Sequence, residues 1–408
     1  MSVKAQTNSA IFLFPSLKIN PAPAGFFLGV ASGLSYLFGW PFFSALILML
    51  ALKWSREKGV PALLFLGAGY MVGSSTWFFP GTGGPLNLFT AILGTALLGL
   101  IFHGLPHLVL LHKRGWFVWP FLITLFEFIA EQIGAVGVSI GLLGLQTPLA
   151  YLTTLGSLYY TSIALGFILV LPIAIKKLNP STPAACLALI YLAGMPIVPK
   201  ALPIDIGYIR HNPPSGLKWE PEKANEILNS LIERSKEFEN VDLIVWPENA
   251  VTTTFNMGEA IEQVREVPKP LLFGMTRYMN EGQPELLNSA ILLQGETVSA
   301  SDKLDRVPLI EGGLGPLVQP SIHSGERRIF ELENGIRFLT LLCYEVSFQI
   351  PKQDLEGVDF ILVISAETGL FTQMTAQVYD WQAAARALET GLPILRVGDA
   401  VTVPEKQE

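Results

Sequence analysis

The chain divides near residue 200 into two stretches suited to different solvents. Residues 1–200 hold 10 Lys and Arg but only 3 Asp and Glu, a net of +7, whereas residues 201–408 hold 17 and 31, a net of −14. Only 15% of the chain is charged and 50% is hydrophobic, where a soluble chain carries about 25% charged residues. The deficit lies in the first half. A basic apolar stretch joined to an acidic polar one reads as two domains, 1–200 in lipid and 201–408 in water. The acidic half lacks the basic face that phosphates require, so nucleic acid is excluded as a partner.

Seven apolar stretches, near 22–38, 40–53, 59–78, 86–111, 116–134, 155–175 and 182–199, are expected to span a bilayer, each near the ~20 residues that a crossing needs. The division between the first two, at Gly39-Trp40-Pro41, is the least defined. Basic residues occupy alternate loops: Lys53, Arg56 and Lys58, then Lys113 and Arg114, then Lys176 and Lys177. The intervening loops, around 39–41, 79–85 and 135–154, have no Lys or Arg. Basic loops stay cytoplasmic. The amino terminus is therefore expected inside, and an odd number of spans puts the carboxy-terminal half outside. Trp40, Trp54, Trp77, Trp116 and Trp119 fall near span ends, as an interfacial belt does. No cleavable signal is expected, because the apolar stretch after Lys4 and Lys18 is too long for a signal core.

Polar residues inside the apolar half need a reason. Glu127 and Glu131 share one face of the fifth span. Glu127 reads either as a functional intramembrane acid or as a cap on a structural hydrogen bond, and Glu131 as a side chain reaching the interface. His103 and His107 have chelating spacing, but beside Pro106 they read as interfacial or kink-related. The Gly- and Leu-rich loop 135–154 suits a dip into the outer leaflet, where irregular backbone must be covered by protein or line a cavity. Two cysteines make no disulfide framework or metal set, and no metal or cofactor is implied. Cys186, within an apolar run, is expected to pack as a small hydrophobe.

From residue 201 the pattern changes to short strands alternating with amphipathic helices. Strands are expected at Ile204–Ile209, Val241–Trp246, Leu271–Met275, Ile336–Leu342, Val358–Ile364 and Ile394–Val397. A hairpin is expected over 287–300, around Gln294-Gly295, and helices over 220–239 and 373–390. The alternation implies an α/β domain with a layered sheet. Three chemically suggestive residues follow strand ends, where a rigid element presents a side chain accurately. Cys343 is the candidate nucleophile. Glu248 is the candidate base and later acid. Lys303 is the candidate charge that favours the thiolate and steadies an oxyanion. Taken one at a time these are ordinary core or surface residues; their joint order is what carries information.

In their local contexts these residues resemble the nitrilase superfamily of carbon–nitrogen hydrolases, a four-layer αββα sandwich with a Glu-Lys-Cys triad. The apolar half narrows the resemblance to the bacterial apolipoprotein N-acyltransferase family. Trp246-Pro247-Glu248-Asn249 resembles the base motif. Asp302-Lys303, followed by Val307-Pro308 and Glu311, resembles the lysine motif, whose glutamate is a supporting acid. Leu342-Cys343-Tyr344-Glu345 resembles the nucleophile motif, with Glu345 as a second supporting acid. Gln382, Arg386-Ala387-Leu388-Glu389 and Leu395-Arg396 resemble the helix and strand that follow, and Glu127 matches a glutamate of the corresponding span. The departures are Leu309-Ile310 before Glu311, Ser365-Ala366-Glu367-Thr368-Gly369 in place of an Asn-Asp-x-Trp-Phe loop, Val138-Ser139-Ile140 in place of Phe-Pro-Trp, and a chain short at its carboxy terminus.

The resemblance implies a polytopic α-helical membrane domain followed by an extracytoplasmic nitrilase-like domain, in the bacterial inner membrane. It implies acyl transfer from a phospholipid donor, through a thioester on Cys343, to the amine of a diacylglyceryl-cysteine apolipoprotein. Leu309, Ile310, Leu314, Leu317 and Val318 read either as a bilayer-facing lid or as ordinary loop packing. Two other readings stay open: a membrane-bound amidase, in which water resolves the thioester, and a catalytically silent homologue that binds lipoproteins.

Overall fold

The computed structural model describes residues 20–75, 85–132, 139–175, 181–194, 200–210, 217–279, 286–306, 322–323, 325–367 and 372–398. The described residues of the amino-terminal part form helices joined by turns and short loops. The α-helices are α1 (Pro21–Leu37), α2 (Pro41–Lys58), α3 (Val60–Ser74), α4 (Pro85–Gly99), α5 (Leu105–His107), α6 (Gly115–Gln132), α7 (Ile140–Leu143), α8 (Leu158–Leu169), α9 (Leu171–Ala174) and α10 (Ser181–Ala193). A π-helical turn, Leu100–Gly104, joins α4 to α5, and a 3-10 turn, Leu108–Leu111, follows.

All seven apolar stretches contain helix, but several helices are shorter than the sequence suggests. α3 has 15 residues and α8 has 12. Glycine and proline mark several of the breaks between helices. Gly39 and Gly59 take positive φ (79° and 91°) between α1, α2 and α3, a conformation that glycine adopts without steric cost. α8 stops at Val170, ahead of Pro172. Among the described residues one helical run, Leu88–Leu111, is long and apolar enough to cross a membrane; Val60–Ser74, Leu158–Leu169 and Ser181–Ala193 are shorter apolar helices.

α1 packs against α3 through Gly25, Gly29 and Gly33. A methyl group on Gly29 would lie 2.5 Å from the Tyr70 amide nitrogen and would also strike the Leu66 carbonyl. Small residues four apart let two helix backbones touch where side-chain burial gives little drive. Large apolar side chains remain exposed around this half, among them Phe27, Phe89, Phe117 and Leu192. Cys186 is exposed as well, which corrects the expectation that it packs. The reason is that α10 is apolar all round yet buries only Pro183 and Leu187. His107 and Trp119 form a buried pair, with Trp119 Nε1 donating to His107 Nδ1 at 2.9 Å. His103 lies in the π-helical turn.

The carboxy-terminal half is a sandwich. A six-stranded sheet runs in the order β1 (Ile206–Tyr208), β2 (Leu243–Val245), β3 (Leu271–Tyr278), β4 (Leu286–Gln294), β5 (Thr297–Asp302), with β6 (Ile322–His323) added to β4. A four-stranded sheet runs β10 (Ile394–Val397), β9 (Phe360–Ile364), β8 (Arg337–Leu342), β7 (Ile329–Glu331). Leu243, Val245, Leu272 and Leu292 of the first sheet meet Phe338, Phe360, Leu362 and Ile364 of the second in a dry core. α11 (Pro221–Ser235) and α12 (Met257–Val264) cover the outer face of the first sheet. α11 does so with Ala224, Leu228, Leu231 and Ile232, the spacing of one helix face. α12 starts at an Asn256–Glu259 capping box.

The last helix, α13 (Thr372–Thr390), covers the outer face of the second sheet with Tyr379 and Ala383. Its opposite face enters the core of the helical half through Val378 and Ala385, and Trp381 lies 4.3 Å from Tyr36, centroid to centroid. The layers are thus helix, sheet, sheet, helix, with the fourth layer shared by the helical half. The hairpin expected over 287–300 is β4–β5, and it turns at Gly295 (φ 53°). α12, β6 and β7 are additional to the expected elements.

Candidate active site

The three residues singled out from the sequence converge at one end of the sandwich. Glu248 follows β2, on a turn anchored by the Trp246 Nε1 bond to Ser235 Oγ (2.9 Å). Gly274 of β3 lies beneath this turn, where an added methyl would come 2.5 Å from Glu248 Cα and 2.8 Å from Asn249 N. Lys303 is the first residue beyond β5, and its amide donates to the Asn288 carbonyl (2.8 Å). Cys343 is the first residue beyond β8 and opens the 3-10 turn Cys343–Ser347.

Glu248 is the hub. Its Oε1 accepts from Asn288 Nδ2 (2.6 Å) and from Lys303 Nζ (3.5 Å). Its Oε2 accepts from the Ala366 amide (3.0 Å), just past β9. Both sheets therefore fix one carboxylate. Glu248 is 4% exposed and Lys303 0%. A buried carboxylate against a buried ammonium group can pass a proton and neutralise a developing oxyanion.

Cys343 has φ 54°, in the left-handed region that side chains avoid. Its Sγ lies 3.2 Å from the Tyr379 hydroxyl. Burial first, then Cys343, Glu248 and Glu367, push the Tyr379 phenol well above its ordinary pKa.

Glu345 ties the lysine segment to the cysteine turn. Its Oε2 accepts from the Leu342 amide (2.8 Å) and its Oε1 from the Leu304 amide (2.8 Å) and Arg327 Nη2 (2.6 Å). Arg327 also reaches Asp305 (3.3 Å) and Asp354 (3.4 Å). Burial works against its charge, but these acids, Glu345 foremost, hold its pKa above the ordinary value. Burial, then Glu345, raises the Asp305 carboxyl. On the far side Arg396 pairs with Glu367 (2.6 Å) and Asp380 (2.5 Å), which braces the segment carrying Ala366.

The helical half reaches this site directly. Glu131 accepts from the Gln349 amide (2.5 Å), six residues beyond Cys343, and from the Tyr159 hydroxyl. Glu131 therefore joins the two halves rather than merely reaching an interface. Glu389 accepts from the Leu158 amide (2.6 Å) and pairs with Arg386 (3.0 Å). Glu127 lies one helical turn from Glu131 on α6 and is buried within the helical half. It accepts from the Ile140 amide (2.8 Å), Ser139 Oγ (2.9 Å) and Ser162 Oγ (3.1 Å), and so holds α7 in place. Glu311, Leu309, Ile310, Leu314, Leu317 and Val318 lie outside the described residues.

Sequence reasoning missed Asn288, Arg327 and Tyr379. Asn288 had a signal: a polar residue inside the buried run Leu286–Gln294 needs a partner. Tyr379 sits with Ala383 at the spacing of a core face, and Arg327 lies in a charged stretch that reads as surface.

Residues 206–407 match the carbon-nitrogen hydrolase family. The apolipoprotein N-acyltransferase of Pseudomonas aeruginosa is 26% identical over 291 residues, covering 62% of this chain and 55% of that protein. That of Azotobacter vinelandii is 26% identical over 327 residues, covering 69% and 58%. The chain thus spans about half the length of the curated relatives it matches. Among solved structures, an amidase from Nesterenkonia sp. AN1 aligns at 18% identity over 49% of this chain and 78% of its own, with a TM-score of 0.37.

Proposed function

Starting from a chain whose residues 206–407 form a carbon–nitrogen hydrolase domain and whose relatives are apolipoprotein N-acyltransferases, we propose that it transfers a fatty acyl group from a phospholipid to the amino-terminal amine of a diacylglyceryl-cysteine apolipoprotein. The observation that carries this reading is the buried Lys303–Glu248 pair (3.5 Å) beside a cysteine on a positive-φ turn. Glu248 takes the proton of Cys343. The sulfur attacks the ester carbon, and Lys303 steadies the oxyanion. The C–O bond breaks, lysophospholipid leaves with the proton from Glu248, and a thioester remains. The acceptor amine then attacks, the C–S bond breaks, and Glu248 takes the amine proton. No cofactor enters the scheme. Glu345 positions the lysine and cysteine segments, Glu311 is assigned a supporting role by its motif, and Glu127 is assigned to holding α7.

Residues 1–200 are the membrane domain, with several spans and a cytoplasmic amino terminus, and residues 201–408 work outside the inner membrane. The exposed apolar side chains of the helical half support bilayer contact: in the carboxy-terminal half the large apolar side chains left exposed among the described residues are Trp219, Tyr278 and Met279. Both substrates are lipids, so an anchored enzyme holds its thiol at the headgroup plane.

The test is incubation with phospholipid vesicles followed by intact-mass measurement. An acyl adduct on Cys343 that clears only when a diacylglyceryl peptide is added supports transfer. Clearance in water alone means hydrolysis instead, and no adduct means a silent homologue. Cys343→Ser should abolish the labile thioester; an unchanged adduct in that variant misassigns the nucleophile.

A further inference from the structure

Tyr379 lies outside every motif that marks Glu248, Lys303 and Cys343, yet its hydroxyl stands 3.2 Å from Cys343 Sγ. The side chain is 2% exposed. A phenol buried to this degree keeps a hydrogen-bond partner. Its place is set from two sides, because α13 packs on the second sheet through Tyr379 and Ala383 and enters the helical core through Val378 and Ala385. The charged groups facing this point come from four strands or their ends. Glu248 faces it from the end of β2, paired with Lys303 beyond β5, and Glu367 from the end of β9, paired with Arg396. Two carboxylates near a thiol oppose its ionisation, and a hydrogen bond to the charged form favours it.

We propose that Tyr379 donates a hydrogen bond to the Cys343 thiolate and is thereby a further catalytic residue of this site. The inference rests on the reading of Cys343 as the nucleophile. The thiol proton passes to Glu248 and the phenol keeps its own, so the hydrogen bond runs from O–H to a lone pair of the sulfur anion. When the S–C bond forms, that lone pair is used and the bond weakens. When the thioester breaks, the bond re-forms with the departing thiolate. The same donor therefore assists both halves of the transfer. The phenol stays protonated throughout, because burial and the surrounding negative groups raise its pKa.

The experiment uses the full chain in lipid nanodiscs, in a Cys186→Ser background, since Cys186 is exposed and would also react. The alkylation rate of Cys343 by iodoacetamide is measured against pH. Tyr379→Phe is expected to move the midpoint upward by about one pH unit, slowing alkylation roughly tenfold below it, the size of one lost hydrogen bond to an ion. A ring-fluorinated tyrosine at position 379 is a stronger donor with nearly unchanged volume and is expected to move the midpoint downward. This second protein carries the test if Tyr379→Phe fails to fold. An unmoved midpoint overturns the proposal, and so does a downward shift in Tyr379→Phe, which would mean that the thiol donates to the phenol. Alkylation needs no lipid. Failure to form an acyl adduct therefore sinks the acyl-transfer reading alone, while an unmoved midpoint in an enzyme that forms the adduct sinks this one alone.

Discussion

Lys303 Nζ sits 3.5 Å from Glu248 Oε1, with the two side chains 0% and 4% exposed. The pair bridges the ends of β2 and β5, and Asn288 and the Ala366 amide hold the same carboxylate. A buried ion pair is a costly way to gain stability, because desolvation offsets most of the attraction. Its placement beside a strained cysteine turn fits catalysis better than folding.

Splitting the pair should therefore separate stability from activity. Lys303→Met leaves Glu248 buried without its cation, and a loss of about 3–5 kcal/mol in unfolding free energy is expected. Glu248→Gln removes the proposed base and should slow acyl-adduct formation on Cys343 by about 10²–10⁴-fold. The double variant should recover most of the lost stability and none of the activity, because it buries no unpaired charge. Thermal unfolding and intact-mass kinetics on the same preparations check both halves. A double variant less stable than Lys303→Met contradicts the account.

The backbone of Cys343 offers a second separation. At φ 54° a residue with a Cβ is strained, at a cost of about 1–2 kcal/mol. Cys343→Gly relieves that strain and Cys343→Ala keeps it, and neither has a nucleophile. The glycine variant is expected to be more stable than the alanine variant by about 1 kcal/mol, against the usual order. Chemical denaturation of the two variants side by side tests this, and alanine proving the more stable would show that the turn is not strained.

A third expectation concerns Gly274, which touches no reacting group. An added Cβ there meets the backbone of Pro247, Glu248 and Asn249 at 2.5–2.8 Å. These are backbone atoms, so the turn itself must shift. Gly274→Ala is expected to cost about 1–3 kcal/mol as overpacking does. It should also slow adduct formation, because Glu248 moves with its backbone. Gly258→Ala serves as the control, since its added methyl meets only the Asn256 side chain at 3.4 Å. Equal losses in the two variants would remove the geometric explanation.

How far the sequence could be read follows from these same residues. Cys343, Lys303 and Glu248 stood out in the sequence because each is the odd chemical type just beyond an apolar strand, and their positions after β8, β5 and β2 follow that reading. α13 was legible as a helix from its pattern, but not its double duty, because a helix that serves two cores shows no clean polar face. Tyr379 was hidden by the same fact: it occupies a core position and differs from its neighbours by one hydroxyl. The stretch 155–175 was overread as one span because hydropathy runs on through Val170 and Pro172, where α8 gives way to α9. Cys186 was misjudged because an apolar run says that water is absent, not that protein is present.

The seam between the halves carries the last expectation. Glu389 is 4% exposed, accepts from the Leu158 amide and pairs with Arg386 at 3.0 Å. Burial nevertheless dominates and raises its carboxyl above the ordinary value of 4.5. A folded pKa above the unfolded one means that the native state binds the proton more tightly. The contribution of Glu389 to stability is then greatest below about pH 4.5 and declines as pH rises from there through the raised folded value. Glu389→Gln keeps an acceptor for Leu158 and removes the titration. Melting temperatures measured from pH 4.5 upward should fall more steeply in the parent protein than in the variant. Parallel curves would mean that Arg386 cancels the burial cost, leaving the seam without a pH-sensitive carboxylate at this position.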